Sequence, residues 1–157
     1  MRWPEIDIGS GTWMIPGERT KNGKPHEVAV VGLAAEILAN RYSNGIPVDG
    51  FVFPSVRPNK VNAGRTALSG FSNAKERIDA AMGDCPPWTF HDLRRTATTF
   101  MAEIGVQPLV ADRVLNHTAG TIRGVAAVYN RYDYRQEQRD ALMKWERRLR
   151  EIVGGEP

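Results

Sequence analysis

Short β-prone runs and turn signals alternate along the first thirty residues of the chain. The segment Thr12–Ile15 is rich in β-formers and follows a Gly-Ser-Gly turn cluster at residues 9–11. An Asn-Gly pair, Asn22-Gly23, precedes the segment His26-Glu27-Val28-Ala29-Val30. Asn-Gly is the strongest short-range signal for a tight β-hairpin. We therefore expect residues 3–30 to form short strands, with a hairpin turn at Asn22-Gly23.

The remainder of the chain carries the periodicity of amphipathic helices. Helices are predicted at residues 32–40, 71–82, 89–104, from residue 108 to about 116, and from 133 to about 152, with a short helical stretch around Tyr129. The apolar faces are predicted to consist of Leu33, Ile37 and Leu38 in the first helix, Leu93, Ala97, Phe100, Met101 and Ile104 in the third, and Leu142, Trp145, Leu149 and Ile152 in the last.

The third of these helices has distinct start and stop signals. Thr89 and Asp92 have the spacing of a capping box, in which the hydroxyl accepts from a backbone N–H and the carboxylate reaches back. Gly105 stands where a C-terminal cap belongs, and Pro108 is placed to begin the next helix. Together the elements predict an α+β fold that is mainly α, with a small N-terminal antiparallel β-sheet.

Composition narrows the class of protein. A length of 157 residues fits one domain, and 41% apolar and 25% charged residues are ordinary for a globular chain. The net charge of +3 is compatible with a polyanionic partner. Cys85 is the only cysteine, so a disulfide framework is excluded and a reducing cytosol is expected. The three histidines lack zinc-enzyme spacing, and no apolar run approaches a membrane span.

Candidate chemistry starts at the third helix. His91 and Arg94 lie three residues apart, about 60° around a helix axis, near an N-terminus that favours anions. The arginine adds a planar fork that matches phosphate oxygens. An isolated pair of this kind is more often a capping histidine and a surface ion pair. With His117 and Tyr129 further along, the set contains the groups needed to cut a nucleic-acid phosphodiester without a metal.

The segments that carry these residues resemble the tyrosine recombinases of the phage integrase family. Residues 91–94 resemble the family's His-x-x-Arg box, and residues 115–117 its Leu-Gly-His box with Asn116 in the glycine place. Residues 128–131 resemble the nucleophile segment of prophage-type integrases. The other similar segments are residues 2–13 (first strand pair), 18–28 (β-hairpin), 51–55 (mid-domain marker) and 134–149 (closing helix), so that the resemblance covers nearly the whole chain in one consistent order.

The resemblance implies a role for each matching residue. Tyr129 is implied as the nucleophile that forms a 3′-phosphotyrosyl link and frees a 5′-OH. Arg94 is implied to stabilise charge on the non-bridging phosphate oxygens, and Lys21 to protonate the leaving 5′-oxygen. His91 is implied as general base or proton relay, and His117 as a hydrogen-bond partner of the phosphate.

Several of these roles have competitors in the sequence. Lys24 competes with Lys21, which is favoured because its place beside Asn22-Gly23 matches the family's turn. Tyr132 and Tyr134 compete with Tyr129, which is favoured by its position in the motif. The remaining alternatives are structural roles. His117 could cap the preceding helix, and His26 is expected to be a strand histidine whose hydrogen bonds are made within the protein.

The resemblance also implies partners and a setting. It implies a double-stranded DNA attachment site as the substrate, other integrase protomers as partners, no cofactor, no membrane and a bacterial cytoplasmic location at the nucleoid. Basic residues are candidates for the DNA-facing surface, although ordinary solvated positions are an equal alternative. They are Arg57, Lys60, Arg65 and Arg95, with Lys75 and Arg77.

One family arginine has no counterpart in these residues. It belongs to an Arg-x-Gly-Glu box whose place lies before Met1, and Arg2 does not match it. We therefore expect residues 1–157 to be a partial integrase catalytic domain that lacks the first helices and an upstream DNA-clamping domain. Two alternatives stay open, a catalytically impaired DNA-binding fragment and a helical interaction domain with an incidental basic surface.

Overall fold

Five helices and a three-stranded antiparallel sheet make up the computed structural model, which describes residues 1–43, 50–55, 67–117 and 132–154. The strands are β1 (Ile6–Asp7), β2 (Thr12–Ile15) and β3 (His26–Ala29), in that spatial order, after a 3-10 turn at Trp3–Glu5. The helices are α1 (Gly32–Ser43), α2 (Phe71–Met82), α3 (Phe90–Glu103), α4 (Pro108–Val114) and α5 (Arg135–Gly154). The mainly helical α+β architecture is confirmed, and no described helix combines the length and apolarity needed to cross a membrane.

The connection between β2 and β3 differs from the predicted tight hairpin. The two strands pair antiparallel, from Thr12 opposite Ala29 to Ile15 opposite His26, so residues 16–25 form the connection. The predicted hairpin is confirmed, but its turn is a ten-residue connection that contains Asn22-Gly23 and not a tight turn at that pair. The Asn22 side chain accepts the Lys24 backbone N–H at 3.0 Å, and this local bond places the Asn-Gly pair inside a longer loop.

The main core lies between α3, α4 and α5. Met101 is 1% exposed, and half-buried side chains such as Trp145 surround it. The prediction that Leu93 belongs to this face was wrong, since the side chain is 56% exposed. The buried contacts of α3 come from its C-terminal half, whereas the apolar spacing in the sequence extends further toward the N-terminus, to Leu93. The buried members of the cluster are Met101, Val106, Val110, Ala111 and Ala141.

A second, smaller core fixes the start of the chain. Trp3, Leu38 and Val52 are buried together, so α1 packs over the 3-10 turn and residues 50–55. The Trp3 N–H donates to the carbonyl of Gly50 at 3.0 Å. Leu38 confirms part of the predicted apolar face of α1, but Ile37 is 52% exposed and its assignment to that face was wrong. An ideal helix places adjacent residues about 100° apart, so both cannot point into so small a core.

Both ends of α3 form as the sequence predicted. The Asp92 carboxylate accepts from the Thr89 backbone N–H at 2.9 Å and from its hydroxyl at 2.8 Å, which gives the reciprocal capping arrangement. At the other end Gly105 has a φ of +76°. The Val106 N–H donates to the Met101 carbonyl and the Gly105 N–H to that of Ala102, the bonding of a Schellman cap. These caps fix the two ends of α3 and thereby the position of its first two turns, which carry His91 and Arg94.

The closing helix α5 is bound back onto the sheet. The Arg139 guanidinium donates to the carbonyls of Ser10 (2.6 Å) and Gly11 (3.1 Å). Arg135 forms an ion pair with Glu27 of β3 at 2.9 Å. The predicted helix is confirmed with a shift of two residues, but Ile152 is 47% exposed and does not extend its buried stripe.

Helix α2 is confirmed at the predicted residues but contributes no buried side chain. It meets the start of α3 through an edge contact between Phe71 and Phe90, with ring centroids 6.2 Å apart. The Lys75 ammonium lies 4.4 Å from the centroid of the Trp88 ring and 2.7 Å from the Asp79 carboxylate. These contacts account for Lys75 within the protein and weaken its candidacy for a DNA-facing role.

A methionine pair tests the location of the main core. Met101→Ala is expected to lower the free energy of unfolding by about 2–5 kcal/mol, because it leaves a cavity among α3, α4 and α5. Met143→Ala is the matched control, since Met143 is 53% exposed on α5. Urea unfolding followed by circular dichroism gives both values. Equal effects of the two substitutions would contradict the placement of the core.

Candidate active site

Arg94 reaches from α3 to the end of α4. Its side chain is half-buried, and Nη2 donates a hydrogen bond to the carbonyl of Leu115, just past the last residue of α4. Carbonyls at a helix C-terminus lack helical partners and carry partial negative charge, so they attract a guanidinium. Arginine has five N–H donors in a fixed fork. The contact with Leu115 therefore orients the group and leaves further donors for an anion.

The two residues after Leu115 turn the chain and orient a histidine. Asn116 has a φ of +53°, in the left-handed region that asparagine tolerates better than most residues. The His117 backbone N–H donates to the Asp112 carbonyl at 2.8 Å, and its ring Nδ1 lies 3.3 Å from the Asp112 carboxylate. With Nδ1 directed at Asp112, the other ring nitrogen is the one that can exchange protons with a ligand.

Lys21 lies in a loop ordered by its neighbours. The Thr20 hydroxyl lies 2.9 Å from the Gly17 carbonyl and 2.8 Å from the Lys24 carbonyl. The Asn22 Oδ1 accepts from the Lys24 N–H, and its Nδ2 donates across to Oδ1 of Asn116 at 2.9 Å. This last bond ties the loop that carries Lys21 to the turn between Leu115 and His117. Lys21 and Lys24 are both exposed in it.

Glu5 holds the base of the same loop. Its carboxylate lies 2.5 Å from the Arg19 guanidinium and accepts from the Trp13 indole N–H (3.1 Å) and the Arg2 backbone N–H (3.0 Å). Burial acts to raise the pKa of the Glu5 carboxyl, but the hydrogen bonds from Trp13, Arg19 and Arg2 outweigh it and leave the pKa below its ordinary value. The loop is thus fixed at its start by an ionised carboxylate.

His26 serves the packing of α4 rather than the site. Its ring is half-buried in β3 and hydrogen-bonds the backbone of Val114, the last residue of α4. Burial lowers the pKa of His26, and the bond to Val114 offsets only part of that effect. This contact agrees with the expectation that His26 is a strand histidine with a hydrogen-bond partner inside the protein.

The lowered pKa of His26 predicts a pH dependence of stability. Protonation is harder in the folded than in the unfolded chain, so stability is fully present above the unfolded pKa, about 6.5 for histidine. It is lost as the pH falls from there through the lower, folded pKa. His26→Gln keeps a donor for Val114 without titrating, and should flatten the fall in unfolding free energy between pH 7 and pH 5. An unchanged pH profile in this variant would contradict the assignment.

His91 and Arg95 occupy the outer face of the first turns of α3. The Arg95 side chain is 76% exposed and pairs with Asp92 at 3.1 Å. His91 is exposed one turn before Arg94, and no contact among the described residues joins it to the turn that follows α4. These contacts bring together Arg94, His117 and the Lys21 loop, and His91 takes no part in them.

Four predicted residues, Tyr129, Arg57, Lys60 and Arg65, lie outside the described residues. The competing tyrosines are described. The Tyr132 hydroxyl donates to Glu137 at 3.3 Å, and this bond to a carboxylate raises the pKa of Tyr132. The half-buried Tyr134 packs on the main core, with the Arg113 guanidinium 4.8 Å from its ring centroid. Tyr134 is thus a packing residue, whereas Tyr132 is 54% exposed.

Sequence reasoning missed the residues that hold the site together. Asp112 orients His117, and the Asn22–Asn116 bond joins the loop to the turn after α4. The signals were present, since Asp112 lies close to His117 on a predicted helix and Asn116 departs from the family's glycine. Within the described ranges, no group of three or more His, Cys, Asp or Glu side chains is arranged to hold a metal ion. The arrangement can bind an anion and move protons beside it.

Comparison with known proteins gives a consistent assignment. The family model described as "Phage integrase family" matches residues 1–136. Prophage integrase IntA of Escherichia coli (strain K12) is 32% identical over 148 residues, which cover 92% of this chain and 32% of the relative. Prophage integrase IntZ of the same strain is 28% identical over 155 residues, which cover 98% of this chain and 36% of the relative.

The chain spans about a third of the length of these curated relatives. No solved structure matches it with statistical significance. The family model covers most of the chain, from the 3-10 turn before the sheet to the first residues of α5. On this evidence the chain belongs to the phage integrase family.

Proposed function

We propose that residues 1–157 form part of the catalytic domain of a site-specific DNA recombinase, which cleaves and rejoins strands through a 3′-phosphotyrosyl intermediate. The observation that carries the proposal is the convergence of Arg94, His117 and the Lys21 loop at the end of α4. A fixed guanidinium, an oriented imidazole and an exposed ammonium can stabilise charge and move protons at one phosphate, as a phosphoryl transfer needs.

In the proposed reaction the hydroxyl oxygen of Tyr129 attacks the scissile phosphorus. A phosphorus–oxygen bond to the tyrosine forms, the bond to the 5′-oxygen breaks, and that oxygen leaves with the bonding electron pair. Lys21 gives it a proton, so a neutral 5′-OH is released. The phosphotyrosyl link conserves the energy of the broken bond, so a second 5′-OH can reverse the step on another strand without a nucleotide cofactor.

Charge control in this scheme falls to Arg94 and the histidines. Negative charge grows on the non-bridging oxygens as the phosphorus becomes five-coordinate, and the donors of Arg94 that Leu115 does not use would bind them. His117, oriented by Asp112, would hydrogen-bond the same phosphate. His91 is proposed as the base or relay that takes the Tyr129 proton, since it is exposed one turn before Arg94 on the same helix.

The proposed substrate is a double-stranded DNA attachment site, bound together with other protomers on the nucleoid in the bacterial cytoplasm. Arg95 is exposed on α3 next to Arg94 and is proposed to contact phosphates that flank the scissile one. Arg57, Lys60 and Arg65 are proposed as further phosphate contacts. Such contacts give salt-dependent, sequence-tolerant affinity, which positions the duplex while the chemistry takes place.

A nicked suicide DNA tests the function. Cleavage near the nick releases a short strand that diffuses away, so the covalent protein–DNA product accumulates. With protein expressed from its full reading frame, a product that resists heating in detergent supports the recombinase. Shifted bands without covalent product would instead indicate a DNA-binding protein with impaired catalysis. Absence of binding even at low salt would exclude both, and would favour a helical interaction domain with an incidental basic surface.

A further inference from the structure

We propose that Asn22 and Asn116 are positioning residues that set where Lys21 stands relative to the scissile phosphate. The inference rests on the proposed function and adds to it the residues that position the Lys21 loop. Their side chains form a hydrogen bond of 2.9 Å between residues 94 apart in sequence. It is a direct side-chain link between the Lys21 loop and the turn that adjoins the Arg94 and His117 contacts.

The orientation of the Asn22 amide is determined by its local bonds. Oδ1 lies 3.0 Å from the Lys24 backbone N–H, which can only donate. The oxygen of the amide must therefore face the loop, and Nδ2 must face outward. An acceptor on the opposite side is then required, and Oδ1 of Asn116 supplies it. Neither amide can be rotated without losing one of these bonds.

Position 116 is set by its backbone as well as its side chain. A φ of +53° there favours glycine and tolerates asparagine. Glycine would satisfy the backbone but would offer nothing to Asn22. Asparagine both adopts the turn and supplies the acceptor, and it does so next to Leu115, whose carbonyl receives Arg94. The departure from a Leu-Gly-His pattern therefore creates the link.

The link affects one part of the proposed chemistry more than the rest. Without it, Arg94 keeps its contact with Leu115 and His117 keeps Asp112, and His26 still holds the start of β3 to α4, whereas the tip of the loop beside Lys21 loses its hydrogen bond to the turn. The expected defect is thus in protonation of the leaving 5′-oxygen. A substrate with sulfur in place of that oxygen isolates this step, because a thiolate (thiol pKa about 8.5) leaves without a proton far more readily than an alkoxide.

The test compares cleavage of ordinary suicide DNA with DNA that carries a 5′-bridging sulfur at the scissile position. Asn116→Gly is expected to slow cleavage of the oxygen substrate by about tenfold to a hundredfold, the scale of a misplaced catalytic group, and to leave the sulfur substrate near the wild-type rate. Asn22→Ala should show the same selectivity. Lys21→Ala removes the proposed acid altogether, so its gain in rate on the sulfur substrate sets the upper limit for the other variants. Asn73→Gly, on the exposed surface of α2, is the control for replacement of an asparagine by glycine elsewhere in the chain.

The double variant Asn22→Ala/Asn116→Gly separates a shared bond from two independent defects. If the pair acts through its hydrogen bond, the double variant is no slower than the slower single variant, whereas independent effects multiply. Glycine suits the backbone at position 116, and thermal melting confirms that each variant is folded. Equal slowing of both substrates by Asn116→Gly, or multiplied effects in the double variant, would overturn the positioning role.

Failure of the proposed function gives a different pattern. No covalent product from the wild-type protein on either substrate, or a Lys21→Ala variant that sulfur does not rescue, removes the basis of the inference along with the proposed roles. A different result overturns the inference alone. In that result the wild-type protein cleaves both substrates and sulfur rescues Lys21→Ala, but Asn116→Gly and Asn22→Ala cleave the oxygen substrate at the wild-type rate.

Discussion

Replacement of Arg94 by alanine is expected to reduce the rate of covalent DNA cleavage by about 10²–10³-fold, the typical cost of removing one group that stabilises charge in a transition state. Arg94 is the cation that the structure holds against the end of α4, through the Leu115 carbonyl. Lysine at this position should restore little activity, since a single ammonium cannot bond Leu115 and two phosphate oxygens in the same planar geometry.

Arg95 provides the matched comparison on the next residue of α3. Its side chain is exposed, and among the described residues its ion pair is with Asp92, three positions away. Arg95→Ala should act on DNA affinity and reduce the slope of log affinity against log salt by about one, as expected for the loss of one phosphate contact. Measurement of band shifts and of covalent product in parallel separates the two effects. Similar losses of cleavage at saturating DNA from both variants would contradict the special role of Arg94.

Tyr129→Phe is expected to abolish the covalent product while DNA binding persists, because phenylalanine lacks the oxygen that forms the bond to phosphorus. Tyr132→Phe and Tyr134→Phe are the controls, and both should retain covalent cleavage. In the structure the Tyr132 hydroxyl donates to the Glu137 carboxylate, and Tyr134 packs on the core. Loss of product in either control with retention in Tyr129→Phe would reassign the nucleophile.

The fold was predictable where its signals are local. Thr89 with Asp92 and Gly105 with its neighbours define both ends of α3 from the sequence, because each cap is made within a few residues. The turn at Asn22-Gly23 was not predictable in the same way. Its hairpin preference is real in isolation, but Asn22 bonds instead to Lys24 and to Asn116, and the second partner is 94 residues away. The exposure of Leu93 depends equally on where α4 and α5 pack.

The sequence proposes which residues form the candidate site, but it does not give their arrangement. Motif positions selected Arg94, His117 and Lys21, and the structure gathers these segments at the end of α4. The contacts with Leu115 and Asp112 come from packing of α3 on α4 and from the fold of the last turn, which periodicity does not encode. The roles of Tyr129 and of the basic residues between 57 and 65 stay predictions.

Peptide mapping of the covalent product tests the central claim most directly. Trypsin cleaves after Arg123, Arg131 and Arg135, so Tyr129 falls in residues 124–131 and both competing tyrosines fall in residues 132–135. After nuclease digestion of the trapped DNA, mass spectrometry should find the nucleotide remnant on peptide 124–131, joined to the tyrosine through a 3′-phosphate. A remnant on peptide 132–135, a 5′-phosphate linkage, or no remnant on either peptide would contradict the proposed mechanism.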